Sequence, residues 1–533
     1  MAATTINLRA ACAFNASLAP IARAWKRQRP QLLAALTLPF LMSQAHAAAW
    51  LVEPSLEVRE TYSDNASLTP DGARRGDFIT EYRPRVIVKG VGRRLRLNAD
   101  YALNSVFYMR NDQNNNIQHQ LYSDMNAELV DDLLYFDGRA SIGQANINPF
   151  GPLINDSTQA GANRAEVRTL SMSPYMRYRF GRLATGELRY GRDHFSSSNN
   201  ELQNTTTDRA SLILKNGSEF SSLGWGVQAN EQRSKYGNSG ESNTSVYSAN
   251  LSYAVTPSLR LTASGGHEKY SYGTTKDISE GPMWAAGFEW RPSTRTTLIA
   301  NAGHRYYGPA YGLDASYRAR RSIWSVSYKE EVSTTQSQFQ LDGTPNTASF
   351  IDGLFKTTIP DAVARQDAVD AFIRDTGLPR TLNGPVNSFT NRFFLQKSLL
   401  ASVALNGVKN TVVLSAFNTD RVAQGGVPAN TLPVMGPRLL IDADDSLQRG
   451  VNGLWRYRLS SNLNANLSVA VSRVTSDSLD RIDTNKSVRL ALTRQFSRQL
   501  KGTLEMRRLQ INSTAPGAST SENALSASFI ADF

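Results

Sequence analysis

Apolar and polar residues alternate with a period of two along most of this chain. In 94–103, Leu95, Leu97, Ala99, Tyr101 and Leu103 fall on one face, while Arg94, Arg96, Asn98 and Asp100 fall on the other. In 462–471, Leu463, Ala465, Leu467, Val469 and Val471 oppose Asn462, Asn464, Asn466 and Ser468. In 281–291, Trp284, Ala286, Phe288 and Trp290 share a face that carries no charge. The chain ends in the same way: Leu525, Ala527, Phe529, Ala531 and Phe533 alternate with Ser526, Ser528 and Asp532, with Ile530 as the exception. Strict alternation predicts strands with one greasy and one wet face. Counting such segments gives about 22 strands, or roughly 20–24. One helix is expected at about 361–376, started by Pro360 and stopped by Gly377, inside a long link at 334–391.

The links carry a second signal. Short ones, at 91–92, 131–132, 181–182, 256–257, 292–293, 460–461 and 497–498, alternate with long ones at 146–166, 193–206, 271–280, 334–391, 419–446 and 511–520. Tight hairpins on one side and long loops on the other are the habit of transmembrane up-and-down antiparallel β-barrels. The clean apolar faces fit, because a charge facing lipid at mid-bilayer costs about 2–4 kcal/mol. Tyr62, Tyr82, Tyr178, Tyr253, Trp290, Tyr306, Trp324, Tyr328, Trp455 and Tyr457 sit near strand ends, where interface girdles form. A soluble sandwich would bury those aromatics. A polar β-solenoid would show a fixed repeat of roughly 20–50 residues, and none is found.

Residues 1–47 read as an export signal: Arg23, Lys26, Arg27 and Arg29, then an apolar run from Leu32 to Met42, then Ala45, His46 and Ala47 as a small-x-small cleavage site. The run is shorter than the about 20 residues a membrane helix needs. Residues 48–533 are then the barrel. The single cysteine, Cys12, lies in the leader, so disulfides and thiolate metal sites are not expected beyond it. The leader holds five basic residues and no acid, so the remaining chain keeps +7 of the formal +12. With the first strand beginning at about 51, no plug domain is expected, and the 334–391 link is the one candidate obstruction. Its helix either enters the mouth of the barrel or caps it from outside; the alternative is a mobile external loop.

The terminal aromatic strand, with Phe529 and Phe533, resembles the C-terminal signal that the barrel-insertion machinery reads, which implies insertion into the outer membrane of a Gram-negative bacterium. The segment 57–68, with Tyr62, Ser63, Asp64 and Asn65, resembles the opening of the outer-membrane barrels associated with PEP-CTERM protein-sorting and exopolysaccharide loci. The hairpin 287–296, the strand exit 303–308 and the 368–374 stretch are similar to that family too. The resemblance implies an outer-membrane location and a link to surface polysaccharide or its export apparatus, and it transfers no catalytic residue.

Chemistry is sparse. His119, His194, His267 and His304 have no metal-ligand spacing, and no G-x-S-x-G step is present. Asp442, Asp444 and Asp445 form one loop run without the spacing of a calcium site. No cofactor, metal or nucleic-acid partner is expected, and outer-membrane lipid is. On the wet face, strand phase places Arg94, Arg96, Arg177, Arg179, Arg189, Arg260, Lys329, Arg456, Arg458, Arg489 and Arg507 inward, against Asp100, Glu187, Glu289 and Glu505. Such a lumen would favour anions. The expected function is a passive outer-membrane channel for an anionic exopolysaccharide or small anionic solutes. The alternatives are a non-conducting anchor for surface polysaccharide or sorted proteins, and an outer-membrane hydrolase using His267 or His304.

Overall fold

The computed structural model describes residues 49–198, 204–237, 240–271, 278–334, 393–424, 445–476 and 478–533, together with 352, 355, 365, 368 and 369. Its strands are β1 (Ala49–Ser63), β2 (Asp77–Val91), β3 (Leu95–Tyr108), β4 (Asn116–Val130), β5 (Leu134–Asn146), β6 (Arg164–Phe180), β7 (Ala184–Ser197), β8 (Thr205–Asn216), β9 (Leu223–Tyr236), β10 (Glu241–Thr256) and β11 (Leu259–Ser271). They continue as β12 (Ile278–Ser293), β13 (Thr296–Arg305), β14 (Gly308–Arg318), β15 (Ser322–Ser333), β16 (Phe393–Asn406), β17 (Asn410–Gln424), β18 (Ser446–Arg458), β19 (Leu463–Ser476), β20 (Arg481–Gln495), β21 (Leu500–Ser513) and β22 (Thr520–Asp532). The expected helix at 361–376 lies largely outside the described residues; 365, 368 and 369 are helical. Asp442 and Asp444 lie outside them too.

Two compact units divide the chain: residues 1–50 with 90–93, and residues 51–89 with 94–533. In the first, the ring of Trp50 lies across Gly90, leaving no room for a side chain there. The second holds the barrel. Its strands form one 22-stranded sheet in which neighbours in sequence pair. Closure comes from β22 pairing antiparallel with β1, from Ser55 opposite Asp532 to Ser63 opposite Ala524. A closed sheet leaves no open edge, so every strand finds its hydrogen bonds within the wall.

The alternation decides which side faces what. On β22, Thr520, Glu522, Ala524, Ser526 and Ser528 are buried, whereas Leu525, Ala527 and Phe529 are exposed. Large exposed apolar side chains around the sheet, among them Leu188, Leu251, Trp284, Val451, Leu490 and Met506, take this outward parity. On β20 the outward positions run Lys486, Val488, Leu490, Leu492 and Arg494. The two charges are about 27 Å apart along the strand, or roughly 20 Å in height at a tilt of about 40°. Their long stems let the charges reach the headgroups, so the apolar band matches lipid. Among the described residues no helix is long and apolar enough to cross a membrane. This chain crosses with strands.

Hairpin links at 131–133, 181–183, 257–258, 294–295, 459–462 and 496–499 lie at the end of the sheet where β1 begins and β22 finishes. The longer link of this end, between β8 and β9, is stapled to its neighbour: Gly217 donates its N–H to Leu183 at 2.7 Å and Glu219 donates to Arg182 at 3.1 Å. A Cβ on Gly217 would lie 2.1 Å from the Arg182 carbonyl oxygen. Gly217→Ala is therefore expected to push the staple apart at a cost of about 1–3 kcal/mol, read as a lower denaturant midpoint of the folded barrel in lipid. An unchanged midpoint would show the link to be slack.

Candidate functional site

The opposite end carries the feature that shapes the interior. The link between β5 and β6, residues 147–163, does not extend away from the barrel. It turns inside and lies on the inner wall. Phe150 packs on Val474, and Ile154 packs on Leu68, Leu509 and Ile511. A loop with Phe150, Leu153 and Ile154 has apolar surface to bury, and the wall supplies the partner.

Polar contacts fix the segment on both flanks. Toward β3 and β4, Tyr108 donates its hydroxyl to the Thr158 carbonyl at 2.9 Å and Gln118 donates to the Ser157 carbonyl at 3.0 Å. Toward β20 and β22, Gly151 N–H donates to Asp483 at 2.6 Å and Gln159 donates to Glu522 at 2.6 Å. Asp156 stands at the centre. Its carboxylate lies 2.8 Å from Arg507, 3.4 Å from Arg489 and 3.5 Å from Arg59. Thr158 donates its hydroxyl to Asp156 at 2.7 Å. The three guanidiniums come from β21, β20 and β1. Further acids neutralise them: Glu522 at 2.9 Å from Arg507, Glu505 at 3.5 Å from Arg489, and Glu57 and Glu81 at 3.5 and 3.6 Å from Arg59.

Burial opposes ionisation of Asp156, but Arg507, Arg59, Arg489 and the Thr158 bond outweigh it and hold the carboxyl well below the usual carboxylate range. The folded value is therefore below the unfolded value of about 3.9. The anchoring is complete above that pH and is lost only as pH falls through the lower folded value. Accordingly, any property governed by the segment is expected to stay constant from neutral pH down to about pH 5. A transition centred near pH 6 in such a property, for instance in protease access to 147–163, would contradict the arrangement.

The sequence-derived arginines separate into groups. Arg177, Arg179, Arg189, Arg260 and Arg489 take inward parity on their strands, as does Arg96. Arg177 meets Glu187 at 2.7 Å, and Arg189 meets Asp137 at 2.7 Å and Glu187 at 3.2 Å. Both lie over a stacked pair of inward tyrosines, Tyr135 and Tyr175, whose ring centroids are 5.1 Å apart. The Arg189 guanidinium is 3.8 Å from the Tyr175 centroid. Arg260 donates to Ser252 at 3.0 Å. Arg456 faces inward, and Arg458, at the strand end, donates to the Val408 carbonyl in the adjacent turn at 2.6 Å. Arg94 precedes β3 and pairs with Asp131 of the next turn at 2.5 Å, so it belongs to the rim and not to the bore.

Two expectations need correction. The tally of eleven inward bases against four acids is incomplete on both sides: Glu57, Glu81, Asp137, Asp193, Asp483 and Glu522 face inward as well, each near an arginine, and so do Arg59, Arg85, Arg209 and Arg481. The described wall is a ladder of ion pairs and not a uniformly positive tube. Nor is the 334–391 link the one candidate obstruction, since 147–163 occupies the interior. Tyr306, expected in a girdle, instead packs against the cluster of Tyr270 and Phe393. Phe529 is exposed on the outer face and Phe533 donates its N–H to Pro54 at 3.0 Å. His267 and His304 lie exposed on the outer face of β11 and β13. No group of His, Cys, Asp or Glu suited to a metal occurs among the described residues.

No known family profile and no curated protein matches the chain. Solved structures do. The FrpB iron transporter from Neisseria meningitidis (F5-1 variant) aligns over 90% of this chain and 82% of its own, with a TM-score of 0.50 and 8% identity. The chain is an outer-membrane β-barrel. Weaker likenesses are the siderophore receptor PirA from Acinetobacter baumannii (TM-score 0.47, 10% identity, 90% and 80% covered) and the outer membrane protein OpdK from Pseudomonas aeruginosa (TM-score 0.32, 10% identity, 91% and 99% covered). At 8% identity, what the iron transporter shares with this chain is the fold of the wall.

Proposed function

We propose that the protein is a passive outer-membrane channel whose bore is narrowed by the 147–163 segment. The observation that carries this reading is the inner wall. It is polar and charged, and a closed ring of 22 strands encloses more space than its own side chains fill. A wall built of arginine–carboxylate pairs holds water and offers alternating charges to a passing solute. Arg177, Arg189, Tyr135 and Tyr175 add a patch with aromatic faces for sugar rings and guanidiniums for carboxylates. That combination suits an acidic polysaccharide or its fragments, in keeping with the resemblance to barrels of exopolysaccharide loci. Conduction across a planar lipid bilayer tests it. Stable open steps, with block by an oligouronate and little block by a neutral oligosaccharide of the same length, are expected. Absence of steps from folded protein would reject the channel and favour a surface anchor, and equal block by both sugars would reject the acidic solute.

A further inference from the structure

On the outer face, four cations stand together with no acid among them. They are Arg449 on β18, Arg473 on β19, Lys486 on β20 and Arg508 on β21. All four are exposed. Each is the first outward residue beyond the apolar band on its strand, next to Val451, Val471, Val488 and Met506 respectively, and each lies on the long-loop side.

The register brings them into one row. Arg449 and Arg473 are directly opposite across β18 and β19. Arg473 faces Thr484, two residues from Lys486 on the same face. Lys486 faces Gln510, two residues from Arg508. Direct and diagonal positions on one face lie within reach of long side chains, and like charges placed directly opposite are destabilising. Arg449 donates to Asn418 at 2.9 Å, and none of the four has an ion pair among the described residues. The outward positions of β18–β21 hold no acid; the flanking acids among the described residues include Asp420 on β17, opposite Lys397, Asp445, which accepts the Ala423 N–H at 2.7 Å, and Asp64, which Asn523 binds. Three other outer-face cations on the long-loop side have acid partners: Arg168 with Glu166, Arg233 with Glu241 and Lys269 with Glu280. Between the two opposed arginines lies a groove of about 230 Å³ lined by Leu447, Arg449, Arg473 and Thr475.

We infer that this row binds the phosphorylated headgroup of an outer-leaflet glycolipid. Arginine takes phosphate bidentately, and basic pockets at a membrane face hold anionic headgroups. The row sits at headgroup height, with an apolar wall directly below for acyl chains. It crosses four strands, roughly 14 Å, too far for one phosphate and suited to a glycolipid carrying two. The test uses the full-length barrel in detergent, titrated with diphosphoryl lipid A, dephosphorylated lipid A, phosphatidylglycerol or inorganic phosphate, and read by native mass spectrometry. Diphosphoryl lipid A is expected to bind most tightly. R449Q/R473Q/K486Q/R508Q is expected to lose on the order of a hundredfold in affinity or more, and Lys269→Gln is expected to lose none. Heat-modifiable mobility checks folding, and R449Q/R473Q replaces the quadruple variant if that one fails to fold. Unchanged affinity in the variant, or equal binding of phosphatidylglycerol or of the phosphate-free lipid, overturns the inference. So does full displacement by inorganic phosphate at millimolar concentration.

Discussion

Asp156→Ala is expected to release the 147–163 segment and raise the unitary conductance of the channel. Among the described residues, Asp156 is the one anion that forms an ion pair with Arg507, Arg489 and Arg59 together. Breaking a buried charge network costs about 3–5 kcal/mol. The lower value applies here, since Glu522, Glu505, Glu57 and Glu81 remain beside the arginines. About 3 kcal/mol raises the detached population of the segment roughly a hundredfold. The measurement is single-channel recording beside limited proteolysis: larger steps, faster cleavage within 147–163, and a denaturant midpoint for the barrel close to the native one. Asp208→Ala, whose carboxylate lies on the outer face near Arg192, is the control and is expected to leave the steps unchanged. Unaltered conductance in the Asp156 variant would mean that the segment does not set the bore.

The second large effect concerns the outer wall. Leu490 lies midway between Lys486 and Arg494 on the outward side of β20, opposite Leu467 and Met506. An arginine there must face lipid at mid-depth, so Leu490→Arg is expected to cost about 2–4 kcal/mol. Ala470→Arg, on the inward side of the neighbouring strand opposite Ser487, is expected to cost less than about 1 kcal/mol, because a lumen arginine stays solvated. Equilibrium unfolding in lipid vesicles gives both values. Equal costs would mean that the two faces are not solvated differently.

The wall was legible in the sequence because alternation is a local signal. Each of Leu525, Ala527 and Phe529 declares its face without reference to any other strand, and the count of about 22 needs only a repeat of such runs. The contents of the bore were not legible. Asp156 meets Arg507, Gly151 meets Asp483 and Gln159 meets Glu522 across more than 300 residues of sequence. A hint was present in Phe150, Leu153 and Ile154, apolar residues in a link that would otherwise meet water. The pairing of the lumen charges was not legible for a related reason: strand phase assigns a face to Arg189 but does not reveal Asp137 on β5 as its partner. The outer cationic row is the same case. No strand supplies more than one of its members, and the register alone assembles them.

The account rests on a hydrated interior behind an apolar exterior. With Cys12, the chain's one cysteine, replaced by serine, single cysteines along β11 report this directly. In outer-membrane vesicles, a charged, lipid-impermeant thiol reagent is expected to label Thr262→Cys and Ser264→Cys, which face inward, and to leave Leu261→Cys and Ala263→Cys unlabelled. Labelling at the outward pair, or silence at the inward pair in correctly folded protein, would contradict it.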